Sequence, residues 1–139
     1  ADLLQDQVPG TLPAPEPPQL VQPFDAILEA LGTLGAVEAM PLIQPFLDHF
    51  VPRVQFAAAR ALYQLTPDPT LASQYGDRLV RALSNDDLQL RRAVLSDLGA
   101  IGYLPAADAI AQTLAENSLK LISLKGLLER QLRETTPPH

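Results

Sequence analysis

The sequence contains no cysteine. That excludes disulfides, thiolate metal sites and a cysteine nucleophile, and no chromophore can be held on this chain through a thioether. Histidine is nearly absent as well: His49 and the terminal His139 are the only two, too few for an imidazole metal cluster. No apolar run approaches the roughly 18 residues that would cross a bilayer, and the start lacks the charged-then-apolar pattern of a secretory signal. Positive charge is also scarce. Ten basic residues face 16 acidic ones for a net charge of −6, and the longest basic block is the pair Arg91-Arg92. Nothing here would neutralise a row of phosphates, so nucleic acid is not an expected partner. Together these absences point to a reducing, cytoplasmic setting without membrane insertion.

What is present is apolar and helical. The 139 residues are 47% hydrophobic, enough for one domain with a core. The chain opens at Ala1-Asp2-Leu3-Leu4 without an initiator methionine, and it reads as a fragment of something longer. Six prolines follow between Pro9 and Pro23; they block helix and favour extended, polyproline-like chain. Residues 1–22 therefore read as a linker or strap, 23–133 as the folded domain and 134–139 as a tail.

Beyond Pro23 the spacing becomes helical and it repeats. Val54, Ala57, Ala58, Ala61, Leu62 and Leu65 fall on one helix face, and Leu90, Ala93, Val94, Asp97, Leu98 and Ile101 repeat that spacing 36 residues later. Leu31-Gly32-Thr33-Leu34-Gly35 recurs as Leu98-Gly99-Ala100-Ile101-Gly102, 67 residues on, with Leu62 as the middle copy of Leu31. A second stripe follows in the flanking copies: Ala39, Leu42, Ile43, Phe46 and Leu47 match Ala106, Ala109, Ile110, Thr113 and Leu114. The middle copy is lengthened around Thr66-Pro67-Asp68-Pro69, a prolyl turn.

Helix pairs at such a period are the signature of helical solenoids, because one hairpin cannot bury its own apolar face. A coiled coil is excluded by the breaks at Gly35, Pro67 and Gly102. The expected architecture is all-α, a right-handed α-α superhelix of HEAT-like or armadillo type, with about three helix pairs plus a terminal helix. First helices are expected at 24–34, 53–65 and 88–101, and second helices at 37–49, 71–84 and 105–116. A seventh, capped by Asn117-Ser118, covers 118–133 and presents Leu121, Leu124, Leu128 and Leu132 with no second-helix partner, closing the stack. The first helix has an apolar face with no preceding repeat, so further repeats or a partner protein should cover it.

Longer strings carry a more specific signal. Gln22-Pro23-Phe24-Asp25-Ala26-Ile27-Leu28-Glu29-Ala30-Leu31 with the glycine motif after it, Val51-Pro52-Arg53-Val54-Gln55-Phe56-Ala57-Ala58-Ala59-Arg60-Ala61-Leu62-Tyr63, and Ala115-Glu116-Asn117-Ser118-Leu119-Lys120-Leu121-Ile122 resemble the E-type (alpha) subunits of the cyanobacterial phycocyanobilin lyases. The resemblance runs from roughly Pro9 to the C-terminus. It implies a carbon-sulfur lyase type of enzyme, paired with a HEAT-like F-type subunit. Such a pair attaches phycocyanobilin, as substrate, through a thioether to a cysteine of the phycocyanin alpha subunit. The missing cysteine fits, since the acceptor thiol belongs to the substrate protein. Family members carry further repeats before the proline-rich stretch, and the resemblance implies that a chain without them and without the second subunit is inactive. The alternative is a non-catalytic HEAT scaffold that binds phycobiliproteins or another helical partner.

A tetrapyrrole offers two propionates, which want Arg or Lys, and pyrrole nitrogens, which when protonated want a carboxylate. Asp97 occupies a stripe position where the middle repeat has Ala61. A charge there either pairs with an arginine or backbone of a neighbouring repeat or meets a bilin nitrogen. Arg78 and Arg81 share a polar helix face, for propionates or for solvent. Asp48 and His49 close a second helix, and His49 is either a dipole partner or an acid-base group. Tyr63, Tyr75 and Tyr103 lie near inter-helix loops along one edge, as core caps or as an aromatic rim. Arg91-Arg92 opens a first helix and is expected to pair with Asp86 or Asp87. No metal site and no single catalytic residue is read from the sequence.

Overall fold

The computed structural model describes residues 22–135, and every regular element among them is helical. Of the strap assigned to residues 1–22 all but the last residue lies outside that span, as do residues 136–139 of the tail assigned to 134–139, whose first two residues belong to the last helix. The first helices are α1 (Gln22–Leu34), α3 (Pro52–Leu65) and α5 (Leu88–Ile101), within two residues of expectation. Local chemistry sets their ends. Pro52 occupies the first turn of α3, where a missing N–H costs nothing. The Asp87 carboxylate accepts from the Gln89 N–H at 2.8 Å to start α5. Asp68 does the same for Thr70 at 2.9 Å at the head of α4 (Pro69–Ala82). Gly35 and Gly102 follow α1 and α5 at φ +74° and +72°, the left-handed conformation that ends a helix cheaply only at glycine.

The second helices of the flanking pairs are not the continuous helices the spacing predicts. Residues 37–48 split into a 3₁₀ turn (Val37–Ala39), one turn of α-helix, α2 (Met40–Ile43), and a second 3₁₀ segment (Gln44–Asp48). Pro41 and Pro45 cause this. Neither has an N–H to donate, and the ring of Pro45 crowds the carbonyl four residues back. Residues 105–116 shorten likewise to a 3₁₀ turn (Leu104–Ala106) and α6 (Ala107–Gln112), because Pro105 sits in the first turn and Thr113 turns to extended backbone at ψ 153°. Only three of the five residues of each expected stripe are then buried. Ala39, Ile43 and Leu47 face inward while Leu42 is exposed; Ala106, Ile110 and Thr113 face inward while Leu114 is exposed.

α1, α3, α5 and α7 (Asn117–Thr135) stand side by side in one layer, each packed on the next, while α4 lies against α3 and α5. α7 therefore occupies the position of a fourth first helix. Its buried face differs from the expected one: Ser123 and Leu127 are buried against α5, whereas Leu121, Leu128 and Leu132 are exposed. The reason is close approach, since a Cβ on Gly126 would lie 2.9 Å from the Gly99 carbonyl oxygen. The glycine face, and not the leucine face, turns inward.

The core runs through the middle of the stack, where Leu62, Leu79, Leu98 and Ile110 have no exposed surface. Each contributes about 1.5–3 kcal/mol by area removed from water. Neighbouring repeats are also tied by side chains reaching carbonyls about one repeat away. Thr113 Oγ1 donates to Leu83 O at 2.7 Å, Ser123 Oγ to Leu95 O at 2.8 Å and Gln131 Nε2 to Gly102 O at 3.2 Å. These bonds satisfy carbonyls near helix ends or crossings and fix the register of stacking. No described helix is long and apolar enough to cross a membrane.

Candidate functional site

The layer of α1, α3, α5 and α7 carries two adjoining recesses. One, of about 150 Å³, is lined by Asp25 and Glu29 of α1, Arg53, Phe56, Ala57 and Arg60 of α3, and Ala93, Ser96 and Asp97 of α5. The other, of about 380 Å³, lies between α5 and α7 over Leu95, Gly99, Ala100, Leu119, Ile122 and Gly126, with Arg92 and Glu129 beside it. Ser96 lines both. Helical spacing explains the layout: Asp25 and Glu29 are four apart, as are Arg92, Ser96 and Ala100, so each set rises on one face.

Among the described residues Asp97 is the one buried carboxylate, 7% exposed. Its Oδ1 accepts from Arg60 Nη1 at 2.9 Å, and Glu29 stands 3.9 Å from the same guanidinium. Among the described residues no hydrogen bond reaches Asp97 Oδ2, and the buried Nε of Arg60 has no acceptor. Burial raises the Asp97 pKa from 3.8 to about 6, against the lowering effect of the Arg60 hydrogen bond and charge. Desolvation wins because the pair sits between packed helices, where an ion pair recovers little of its lost hydration.

A pH dependence follows. The folded state takes up a proton on Asp97 near pH 6, the unfolded chain only near 3.8. Between those values the folded state binds more protons, so stability rises as pH falls, by up to about 1 kcal/mol per pH unit. Glu116, held below its ordinary value by its hydrogen bond to Arg92, acts in the opposite sense, below 4.5. Urea midpoints measured from pH 6 to 4.5 are expected to climb in the unsubstituted protein and to lose that component in Asp97→Asn.

The other singled-out residues are dispersed. Arg78 donates to the Leu47 carbonyl at 3.3 Å, and Arg81 is exposed near the end of α4. His49 accepts the Val51 N–H on Nδ1 at 3.0 Å, its carbonyl accepts from Gln55, and its ring stacks on Phe46 and Phe50 at 5.8 and 4.5 Å. Asp48 beside it is exposed. Tyr75 is buried and accepts from Gln44 Nε2 at 2.9 Å. Tyr103, buried against Tyr63 at 5.4 Å between rings, donates to Asp77; burial first and Asp77 second push its phenol to about 12. Burial likewise raises Tyr63. Arg91 and Arg92 do not pair with Asp86 or Asp87. Arg91 reaches the Leu114 and Asn85 carbonyls, and Arg92 pairs with Glu116 across the helix boundary, because both aspartates precede α5 while the arginines project sideways toward the next repeat.

Of the expected candidates, then, the structure places Asp97 in a recess with a second charged group. Arg60 is the residue missed. Its signal was available: shifted by the 36-residue repeat, Arg60 superposes on Ser96, next to Asp97. Among the described residues no three His, Asp or Glu are grouped to hold a metal ion.

No family model matches the chain. Individual relatives do. The phycocyanobilin lyase subunit alpha of Microchaete diplosiphon is 77% identical over 137 residues, 98% of this chain and 47% of that protein. Its namesake in Thermosynechococcus vestitus is 57% identical over 135 residues, 97% of this chain and 48% of that protein. Over the half of those proteins that it spans, this chain is similar to the phycocyanobilin lyase alpha subunits. The solved complex of CpcE and CpcF of phycocyanin lyase from Nostoc sp. contains a chain 63% identical and similar in fold at a TM-score of 0.72, over 80% of this chain and 40% of that one. A more distant relative, the bilin biosynthesis protein PecE of Nostoc sp., is 44% identical over 118 residues. The chain spans about half the length of the alpha subunits it matches. The solved lyase fold agrees with the helical solenoid found here.

Proposed function

We propose that this chain serves in one subunit of a heterodimeric bilin lyase of the cytoplasm, which joins phycocyanobilin to a cysteine of the phycocyanin alpha subunit. The 77% identity to a phycocyanobilin lyase alpha subunit over nearly the whole chain carries this reading. The chain itself supplies no thiol, so the nucleophile belongs to the acceptor protein. The reaction is an addition with no leaving group. The acceptor sulfur bonds to the exocyclic carbon of the pigment's ethylidene group, the double bond's electron pair moves to the ring carbon, and that carbon takes a proton. Such a reaction gains most from positioning, holding a flexible pigment in one conformer beside one thiol. A rigid solenoid suits this, with an F-type subunit completing the enclosure and bilin held as substrate, without a covalent bond to this chain.

The test combines the full-length subunit with its F-type partner, free phycocyanobilin and apo-phycocyanin alpha, and reads covalent pigment by zinc-enhanced fluorescence on denaturing gels. Labelled phycocyanin alpha is expected only when both subunits are present. A stable protein complex that never labels its target would sink the lyase reading in favour of a docking scaffold, the alternative suggested by the exposed Ile27, Leu34 and Leu42 at the first-helix end of the stack.

A further inference from the structure

Four rings meet at the head of α1. Phe24 packs on Phe46 at 5.2 Å between ring centroids and edge-on to His49 at 5.8 Å, and Phe50 stacks on His49 at 4.5 Å. Rings so grouped ordinarily lie in a core. Here Phe50 is 83% exposed and Phe24 40%, while Phe46 and His49 are half-buried. One exposed ring needs no account, but a contiguous patch that takes three of the chain's four phenylalanines marks a surface with an occupant. The patch also offers a donor. His49 Nδ1 accepts the Val51 N–H at 3.0 Å, so the proton of the neutral ring sits on Nε2, and no acceptor meets that N–H among the described residues.

The chain that enters α1 has the composition for such a surface. Residues 9–21 read Pro-Gly-Thr-Leu-Pro-Ala-Pro-Glu-Pro-Pro-Gln-Leu-Val. Polyproline II geometry has three residues per turn, so every third residue shares an edge. Leu12, Pro15, Pro18 and Val21 then form one edge, and Ala14, Pro17 and Leu20 most of a second. Glu16 and Gln19 fall together on the third. In that geometry the segment is amphipathic, and its backbone carbonyls, unpaired within the helix, are free to accept. Aromatic-lined surfaces recognise proline-rich chain of this kind because the helix is preformed and costs little entropy to hold. Reach is no obstacle. Val21 lies three residues before Phe24, and at about 3.1 Å per residue the stretch from Leu12 to Val21 is about 28 Å long, more than enough to cross four rings in contact. A tether this short keeps the segment at a high effective concentration, so weak contacts suffice.

We propose that the patch of Phe24, Phe46, His49 and Phe50 is the docking site for residues 12–21 of the same chain, laid across it as a polyproline II strap with Pro15, Pro17 and Pro18 against the rings. His49 Nε2 donates to a carbonyl of the strap. So docked, the strap covers the exposed rings and fixes the direction in which the chain before residue 12 leaves the helical domain, which a free linker would leave open. The strap does not depend on the lyase reading above.

The chain holds no tryptophan, so Phe50→Trp places a single fluorophore on the patch and keeps an aromatic ring there. Acrylamide quenching is measured in that background with the strap intact and with Pro15→Gly, Pro17→Gly and Pro18→Gly together. The three prolines precede the helical domain, and circular dichroism establishes that its helices are unchanged. The quenching constant is expected to rise by at least about 2-fold with the glycines, which turn the segment into a flexible coil, and to be independent of protein concentration while the prolines are present. NMR of the unsubstituted chain supplies a second readout: nuclear Overhauser contacts are expected between the ring protons of Pro15, Pro17 or Pro18 and those of Phe24 or Phe50. Equal quenching with and without the prolines, or absence of those contacts, overturns the strap. Shielding that appears only as protein concentration rises assigns the patch to a second copy of the chain, and shielding that appears only when the F-type subunit is added assigns it to that partner. Either result overturns the strap as well, and none of them touches the lyase reading.

Discussion

Asp97→Leu alone is expected to lower the free energy of unfolding by about 3 kcal/mol, and Arg60→Met added to it to restore most of that loss. The single substitution leaves Arg60, whose side chain is 17% exposed, with only Glu29 at 3.9 Å for a partner. A guanidinium so far out of water cannot shed its proton to escape the cost. The double substitution removes both charges together and replaces them with apolar contact between α3 and α5. Urea denaturation at pH 7 checks this through the midpoint at constant slope. A double variant no more stable than the single one would mean that the ion pair, and not its desolvation, governs this contact.

The same pair shows how far the sequence could be read. Asp97 stood out because it broke an apolar stripe, a conflict visible within one helix. Its partner lies 37 residues away on another helix and sits beside its own stripe, between Ala59 and Ala61, where an arginine looks solvated. Only the stacking distance between α3 and α5 makes the two meet, and a periodicity within one helix does not contain that distance. Tyr75 and Tyr103 illustrate the same gap. Their places near loops suggested an edge, but at 8% and 6% exposure they turn inward, and their hydroxyls find Gln44 and Asp77 in neighbouring helices.

The fold was more legible because its signals are local. The glycines at 35 and 102 require left-handed backbone and the first-helix stripes repeat faithfully, whereas Asp68 and Asp87, read as a turn residue and an ion-pair partner, cap helices. The misreadings also have local causes. Apolar residues at 39, 42, 43, 46 and 47 fit a helical period, yet Pro41 and Pro45 remove the hydrogen bonds that would hold it. In α7 the leucines outnumber the glycine, but Gly126 meets Gly99 at a distance no side chain would allow. Close approach selected the face. Hydrophobic count did not.

Close approach also governs the other end of the layer, and Gly32→Val is expected to detach α1 while sparing α7. A Cβ at Gly32 would lie 2.8 Å from the Ala61 Cα and 2.5 Å from Gln64 Oε1. The glutamine can swing aside; the α3 backbone cannot, since Ala58, Ala59, Ala61 and Leu62 around it are fully buried. Relief must come from α1 moving outward, at a cost of about 3 kcal/mol at the upper end for overpacking. In a stack where each repeat touches only its neighbours, that cost falls on the contact concerned. α1 rests chiefly on α3, while α7 rests on α5 and α6. Amide hydrogen exchange should then show protection within residues 22–34 falling about 100-fold, the equivalent of about 3 kcal/mol, with residues 119–131 of α7 little changed. Equal loss at both ends would mean that the layer opens as one cooperative unit. The solenoid would then be held by long-range cooperativity, in place of the nearest-neighbour stacking that its contacts describe.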